Sequence, residues 1–111
     1  MKLRWRVSLT AQACRDFADF LHWTAEHFGK QQARAYDKTL RSALQELAQS
    51  PEVTGCRCRE DIGPGILSLH VARKGHKGRH FILSRADTAT STIEMLRILH
   101  DSMDLARHVG L

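Results

Sequence analysis

Proline and cysteine are both scarce in this chain, with two Pro, three Cys and seven Gly among 111 residues. So little Pro and Gly excludes a low-complexity or collagen-like chain. An odd cysteine count, with Cys56 and Cys58 separated by a single residue, excludes a disulfide-stapled framework and fits a reducing compartment. Long hydrophobic runs are missing too. The longest, Gly65 to Val71, is broken by Ser68 and His70, far short of the ~20 residues of a membrane helix. The first residues, MKLRWRVSLTAQAC, are basic but carry no apolar stretch of signal-peptide type, so the expected location is the cytoplasm. No GxxxxGK, GxGxxG or GxSxG motif occurs, which argues against a phosphate-cradling loop or a nucleophile elbow. The lone CxC has no second knuckle to complete a zinc site, so neither metal nor cofactor is expected.

What is present is an ordinary globular composition, 42% apolar and 26% charged, of a length that suits one domain spanning residues 1–111. The charge is uneven. Residues 1–49 carry +3, residues 50–85 carry +4 and residues 86–111 carry −2, within a net +5. Arg73 to Arg85, RKGHKGRHFILSR, holds five formal positive charges, two histidines and no carboxylate. Such a stretch can meet nucleic-acid phosphates or an acidic protein segment, since both offer dense negative charge to guanidinium forks. A merely solvated basic hairpin would look the same.

Hydrophobic period orders the elements. Leu3, Trp5, Val7 and Leu9 alternate with Arg4, Arg6 and Ser8, which predicts a half-buried strand. Thr10 then stands at a helix N-cap position, and Cys14, Phe17, Ala18, Leu21, Ala25 and Phe28 recur at helical steps over Ala11 to Phe28. Gly29 ends this helix. Ala33, Tyr36, Leu40, Ala43, Leu44, Leu47 and Ala48 predict a second helix over Lys30 to Gln49, folded back on the first as an antiparallel hairpin. Ser50 and Pro51 stop it, and Glu52 to Pro64 reads as a connecting loop. Gly65 to Val71, His80 to Arg85 and Thr92 to Leu99 read as consecutive strands, and Asp101 to Val109 as a closing helical turn or two. The order β-α-α-β-β-β predicts an α+β fold of two layers, a helical hairpin packed on a mostly antiparallel, twisted sheet with one apolar face.

Potential acid–base groups are scattered over that sheet: His70, His80, Arg85, Arg97 and His100. A metal-free ribonuclease needs a base near the 2′-hydroxyl, cations on the phosphate and an acid for the leaving oxygen, roles that Arg85, Arg97 and His100 could fill. Alternatively, Arg97 and His100 satisfy polar groups around the last strand.

The closing third, GRHFILSR followed by IEMLRILHDSMDLARHV, resembles the tail signature of the RelE/ParE superfamily of type II toxin–antitoxin toxins, within it the ParE or plasmid-stabilisation branch. The residues carrying the resemblance are Arg97, His100, Met103, Asp104, Arg107 and His108, with Leu9-Thr10, Phe28-Gly29, Tyr36 and Leu47-Ala48 consistent upstream. The resemblance implies the same β-α-α-β-β-β fold. Members similar to RelE cut mRNA on the ribosome, whereas members similar to ParE inhibit DNA gyrase, and both are neutralised by an antitoxin whose disordered tail folds along the toxin. Tyr36 is the only tyrosine, Ser84 stands before Arg85 where many relatives have an aromatic residue, and the Glu52 to Pro64 loop has Arg57 and Arg59 but no lysine. These departures favour the gyrase-directed branch, a binding protein, over a metal-independent endoribonuclease with Arg85, Arg97 and His100 at its site. A relative without toxicity, acting as a scaffold or co-repressor, is a further alternative. The expected antitoxin contacts are Arg73, Arg79, Arg85 and Arg97, beside the groove between hairpin and sheet.

Overall fold

A computed structural model describes residues 5–49, 56–72 and 78–102. The chain runs β1 (Arg6–Leu9), α1 (Ala11–Phe28), α2 (Lys30–Gln49), β2 (Arg57–Cys58), β3 (Ile66–His70), β4 (His80–Asp87) and β5 (Thr92–His100). The expected two-layer α+β arrangement is present, with the two helices on a five-stranded mixed sheet of order β1-β5-β4-β3-β2. β3, β4 and β5 form an antiparallel meander, and β1 lies parallel to β5 at the edge. The two-residue β2, in the segment expected to be only a loop, pairs Arg57 with Ser68 and Cys58 with Leu67. Two residues are too few for alternation to register. The expected closing helical turn lies outside the described residues, apart from a turn at Asp101 and Ser102.

Thr10 starts α1 as its sequence position predicts, its hydroxyl oxygen accepting from Ala13 N–H at 3.0 Å. Gly29 (φ +93°) alone connects the helices. Its N–H closes on the Ala25 carbonyl and its carbonyl accepts from Ala33 N–H, a reversal in a backbone region that side chains disfavour. Leu40, Ala43, Leu47 and Ala48 of α2 are buried as their spacing predicts. α1 differs by one step: Ala13 and Thr24 are its buried residues and Phe17 and Phe20 pack on the core, while Cys14, Ala18 and Phe28 are exposed. Aromatic volume at Phe17 and Phe20 turns the helix towards the sheet, overriding the small residues at 14 and 18.

The main core lies between the layers, where Leu40, Ala43 and Leu47 meet Leu69, Val71, Ile82, Ile93, Met95 and Ile98. Each Leu, Ile, Val or Met among them contributes about 1.5–3 kcal/mol by leaving water. The sheet is apolar on its other face as well, because Ile62, in the turn preceding β3, covers Ile66, Leu83 and Leu99. Ile82, Leu83 and Ser84 are therefore all buried, and the expected polar alternation is lost there.

Candidate functional site

Two clusters hold His70, His80, Arg97 and His100 of the polar residues singled out above. The first closes the edge of β5. β1 ends at Leu9, opposite Met95, so the backbone of β5 beyond that point has no strand partner on this side. α1 supplies side chains instead: Thr10 donates its hydroxyl to the Leu96 carbonyl at 2.9 Å, and Asp16 accepts from Ile98 N–H at 3.0 Å. The same Asp16 carboxylate takes Arg97 through Nε at 2.7 Å and a terminal nitrogen at 3.1 Å. Both side chains are largely shielded, 11% exposed for Asp16 and 19% for Arg97. The register between β4 and β5 skips one residue here, passing from Leu83 opposite Arg97 to Ser84 opposite Met95, which leaves Leu96 as the extra residue of a bulge.

The second cluster sits where α1 and α2 meet the far end of the sheet. Tyr36 Oη accepts from the Arg79 N–H at 3.0 Å and shares a hydrogen bond with His80 Nδ1. The His80 ring stacks on Phe20 at 4.4 Å, and the His100 ring meets it edge-on at 5.4 Å. Burial, reinforced by the neighbouring His100 and His70, holds the His80 imidazole down at about 4, so it is neutral at pH 7; Asp101 and Asp16 oppose this weakly. Burial also raises the Tyr36 phenol, although the Arg79 N–H favours its anion. Gly78 is required for this packing, because a Cβ there would lie 2.5 Å from Val71 Cγ2 and 3.0 Å from Tyr36 Oη.

Asp101 ties the strand ends together. It accepts from Arg79 at 3.0–3.1 Å and from His70 Nε2 at 2.9 Å, and first Arg79, then His70, lowers its carboxyl to about 2. Above this network opens a groove of about 770 Å³ lined by Phe20, Trp23, Phe28, Tyr36, His80 and His100, with Arg79 at its rim. Trp23 and Phe28 are 52% and 66% exposed at its mouth.

Arg85, Arg97 and His100 are not brought together. Arg85 lies opposite Glu94 and Ile66, whereas His100 lies opposite His80, five residues away along β4, about 17 Å at the rise of a strand. Arg97 is held by Asp16. Of the four arginines expected to meet a partner, Arg79 borders the groove, Arg85 projects from the other face of the sheet, and Arg73 lies outside the described residues. Met103, Asp104, Arg107 and His108 also lie outside them. Among the described residues no group of three or more His, Cys, Asp or Glu could hold a metal ion, and no helix is long and apolar enough to cross a membrane. The sequence reading missed the joining of Tyr36 and Phe20 to His80, because they stand on separate elements and no local spacing links them.

The comparisons with known proteins agree with this architecture. The chain is 31% identical over 109 residues to Toxin ParE1 of Mycobacterium tuberculosis, in both the CDC 1551 / Oshkosh and the H37Rv strains, covering 98% of this chain and 100% of that protein. Its fold matches a structure of the chromosomal ParDE toxin–antitoxin system from P. aeruginosa with a TM-score of 0.71 at 17% identity, over 89% of this chain and 98% of the other. A structure of the toxin–antitoxin complex RelBE2 from Mycobacterium tuberculosis matches with a TM-score of 0.61 at 20% identity, over 87% and 98%. The family model for the ParE toxin of the type II toxin–antitoxin system parDE matches residues 7–105, and the chain belongs to that family, within the RelE/ParE superfamily.

Proposed function

We propose that this chain is a growth-inhibiting toxin that acts in the cytoplasm by disabling DNA gyrase and is held inactive by a cognate antitoxin. The observation that carries this reading is the dispersal of Arg85, Arg97 and His100: one on the far face of the sheet, one paired to Asp16, one in the groove. Acid–base cleavage of RNA needs such groups within hydrogen-bond reach of one phosphodiester, and their separation favours a protein that works by docking. The groove between hairpin and sheet, with exposed Trp23 and Phe28 and Arg79 at its rim, is where the antitoxin tail would order on binding.

The test pairs two assays. Purified chain added to DNA gyrase and relaxed plasmid is expected to block supercoiling, while mapping of mRNA ends after induction is expected to show no codon-specific cuts. Cuts that vanish in His100→Ala would replace this reading with a ribosome-dependent endoribonuclease. Unaffected growth together with unaffected supercoiling would indicate a non-toxic scaffold or co-repressor.

A further inference from the structure

The sheet face turned away from the helical hairpin carries a second concavity, at its β2 end. Arg57 of β2 and Arg59 just after it stand two residues apart on this face, about 7 Å at the rise of a strand. Arg57 is in register with Ser68 of β3, and His70, next on the same face, with Phe81 of β4. Together these side chains line a bay of about 440 Å³. Two of its donors are uncommitted. Arg57 is exposed and, among the described residues, has neither an ion pair nor a hydrogen bond; the Ser68 hydroxyl, on a residue only 2% exposed, has no hydrogen-bond partner among them either. A buried hydroxyl without a partner is costly unless something entering the bay accepts from it. Arg59 gives Nε and one terminal nitrogen to Asp61, at 2.9 and 2.8 Å, and keeps the other terminal nitrogen for a second acceptor. His70 is fully engaged. A backbone amide can only donate, so His70 Nδ1 accepts from the Ala72 N–H at 3.0 Å, and the ring proton, on Nε2, goes to the Asp101 carboxylate at 2.9 Å.

We propose that this bay is a phosphate site, which holds the phosphate ester of a nucleotide on Arg57, Arg59 and Ser68 and leaves the ester intact. Its donors come from two neighbouring strands and differ in kind, two guanidinium groups and a hydroxyl. A tetrahedral oxyanion has enough oxygens, pointing in enough directions, to meet all three; the two coplanar oxygens of a carboxylate are used up by a single guanidinium fork, as Asp61 is by Arg59. Holding without cutting follows from His70. Cleavage would need a group in the bay that takes a proton from an attacking oxygen and returns one to the leaving oxygen. Both nitrogens of His70 are committed elsewhere, and Phe81, against which the His70 ring stands edge-on at 4.8 Å, supplies only apolar surface. The site lies on the opposite face of the sheet from the aromatic groove and does not depend on what fills that groove or on the gyrase reading.

The probe is a fluorescein-labelled single-stranded DNA of about 12 nucleotides, titrated with the whole chain by anisotropy at several salt concentrations. A chain of net charge +5 attracts any polyanion, so the control is Arg34→Ala, which removes the same charge from the exposed surface of α2. Arg57→Ala should lower the slope of log K against log salt by about 0.7, which is about a fivefold loss of affinity at 0.1 M salt; Arg34→Ala should change affinity less than about twofold and leave the slope alone. Ser68→Ala removes a donor without touching charge and should weaken binding about threefold at an unchanged slope. Adenosine 5′-monophosphate should displace the probe: displacement in proportion to total phosphate identifies a free nucleotide as the ligand, and much weaker displacement identifies a strand. RNA of the same sequence should bind and stay intact. Equal losses in Arg57→Ala and Arg34→Ala, or affinity indifferent to Ser68→Ala in a variant of unchanged melting temperature, would overturn the proposal and reduce the bay to general basic attraction. Tighter binding of a labelled oligo-glutamate peptide with the same dependence on Arg57 and Ser68 would overturn it in favour of an acidic protein segment, and RNA cut by the parent but not by Ser68→Ala would overturn the holding role. Supercoiling is not read in any of these assays, so their failure leaves the toxin reading standing.

Discussion

Replacing Arg97 by Ala separates two roles for this residue, a clasp inside the fold or a cation for a partner. In the structure the Asp16 carboxylate, 11% exposed, accepts two hydrogen bonds from Arg97 and one from Ile98 N–H. Removing the guanidinium leaves a shielded anion with one backbone donor, and breaking such a pair from one side costs about 3 kcal/mol. A chain of 111 residues loses roughly 4 °C of melting temperature per kcal/mol, so Arg97→Ala should melt about 12 °C lower. Asp16→Asn keeps an oxygen for Ile98 N–H and removes the charge, and should cost about 2 kcal/mol. Combining Arg97→Met with Asp16→Leu should cost well below the sum of the two single changes, with about 2 kcal/mol of coupling, because neither charge is then left alone. Urea unfolding followed by circular dichroism reads all of these. An Arg97→Ala protein that melts within about 3 °C of the parent but no longer binds its antitoxin would refute the clasp and return Arg97 to the recognition surface.

Two further outcomes concern the groove itself. His80 has a folded pKa of about 4 against about 6.5 in an unfolded chain, so the unfolded state binds more protons between those values. Stability is then complete above pH 6.5 and falls as pH drops towards 4, by at most about 3 kcal/mol and by about 1–2 kcal/mol once the partial solvent exposure of the ring is allowed for. Asp101, lowered to about 2, adds a second loss in the same direction below about pH 4. Melting curves from pH 7 to 4.5 should show the first decline, and it should flatten in His80→Phe; an unchanged slope would assign the decline to other groups. Gly78→Ala places a methyl 2.5 Å from Val71 Cγ2 and 3.0 Å from Tyr36 Oη, which should cost about 2 kcal/mol and shift the NMR signals of the His80 ring; no shift would mean that the Tyr36 to Arg79 contact is not fixed by this glycine.

How far the sequence was legible depended on whether a signal was local. Thr10, Gly29 and the 3.6-residue spacing of Leu40, Ala43 and Leu47 act within one or two turns of chain, and the structure agrees with them. The one-step rotation of α1 and the apolar second face under Ile62 depend on what packs opposite, which no single element encodes. Tyr36 and His80 are 44 positions apart, and their pairing exists only because the hairpin lies across the end of β4. His80 could be named as a polar residue on a strand, but not as a ring stacked on Phe20 with its Nδ1 occupied.

The separation of Arg97 from His100, by contrast, follows from a rule available at the outset. Successive side chains of a strand point to opposite faces, so residues three apart, once placed on a strand, cannot share a face. The bulge at Leu96 changes the phase of the residues before it but leaves Arg97 to His100 regular: Arg97 is in register with Leu83 of the second apolar face, and His100 with His80 of the groove. An Arg-x-x-His motif on this strand is therefore two devices sharing one segment. Arg97 meets the carboxylate of Asp16 where β1 has ended and the edge of β5 needs partners, and His100, one pleat further on, faces the aromatic groove. The spacing of the motif places one side chain at the edge of β5 and the other in the groove, so a single phosphodiester would have to reach both faces of the strand to touch them both.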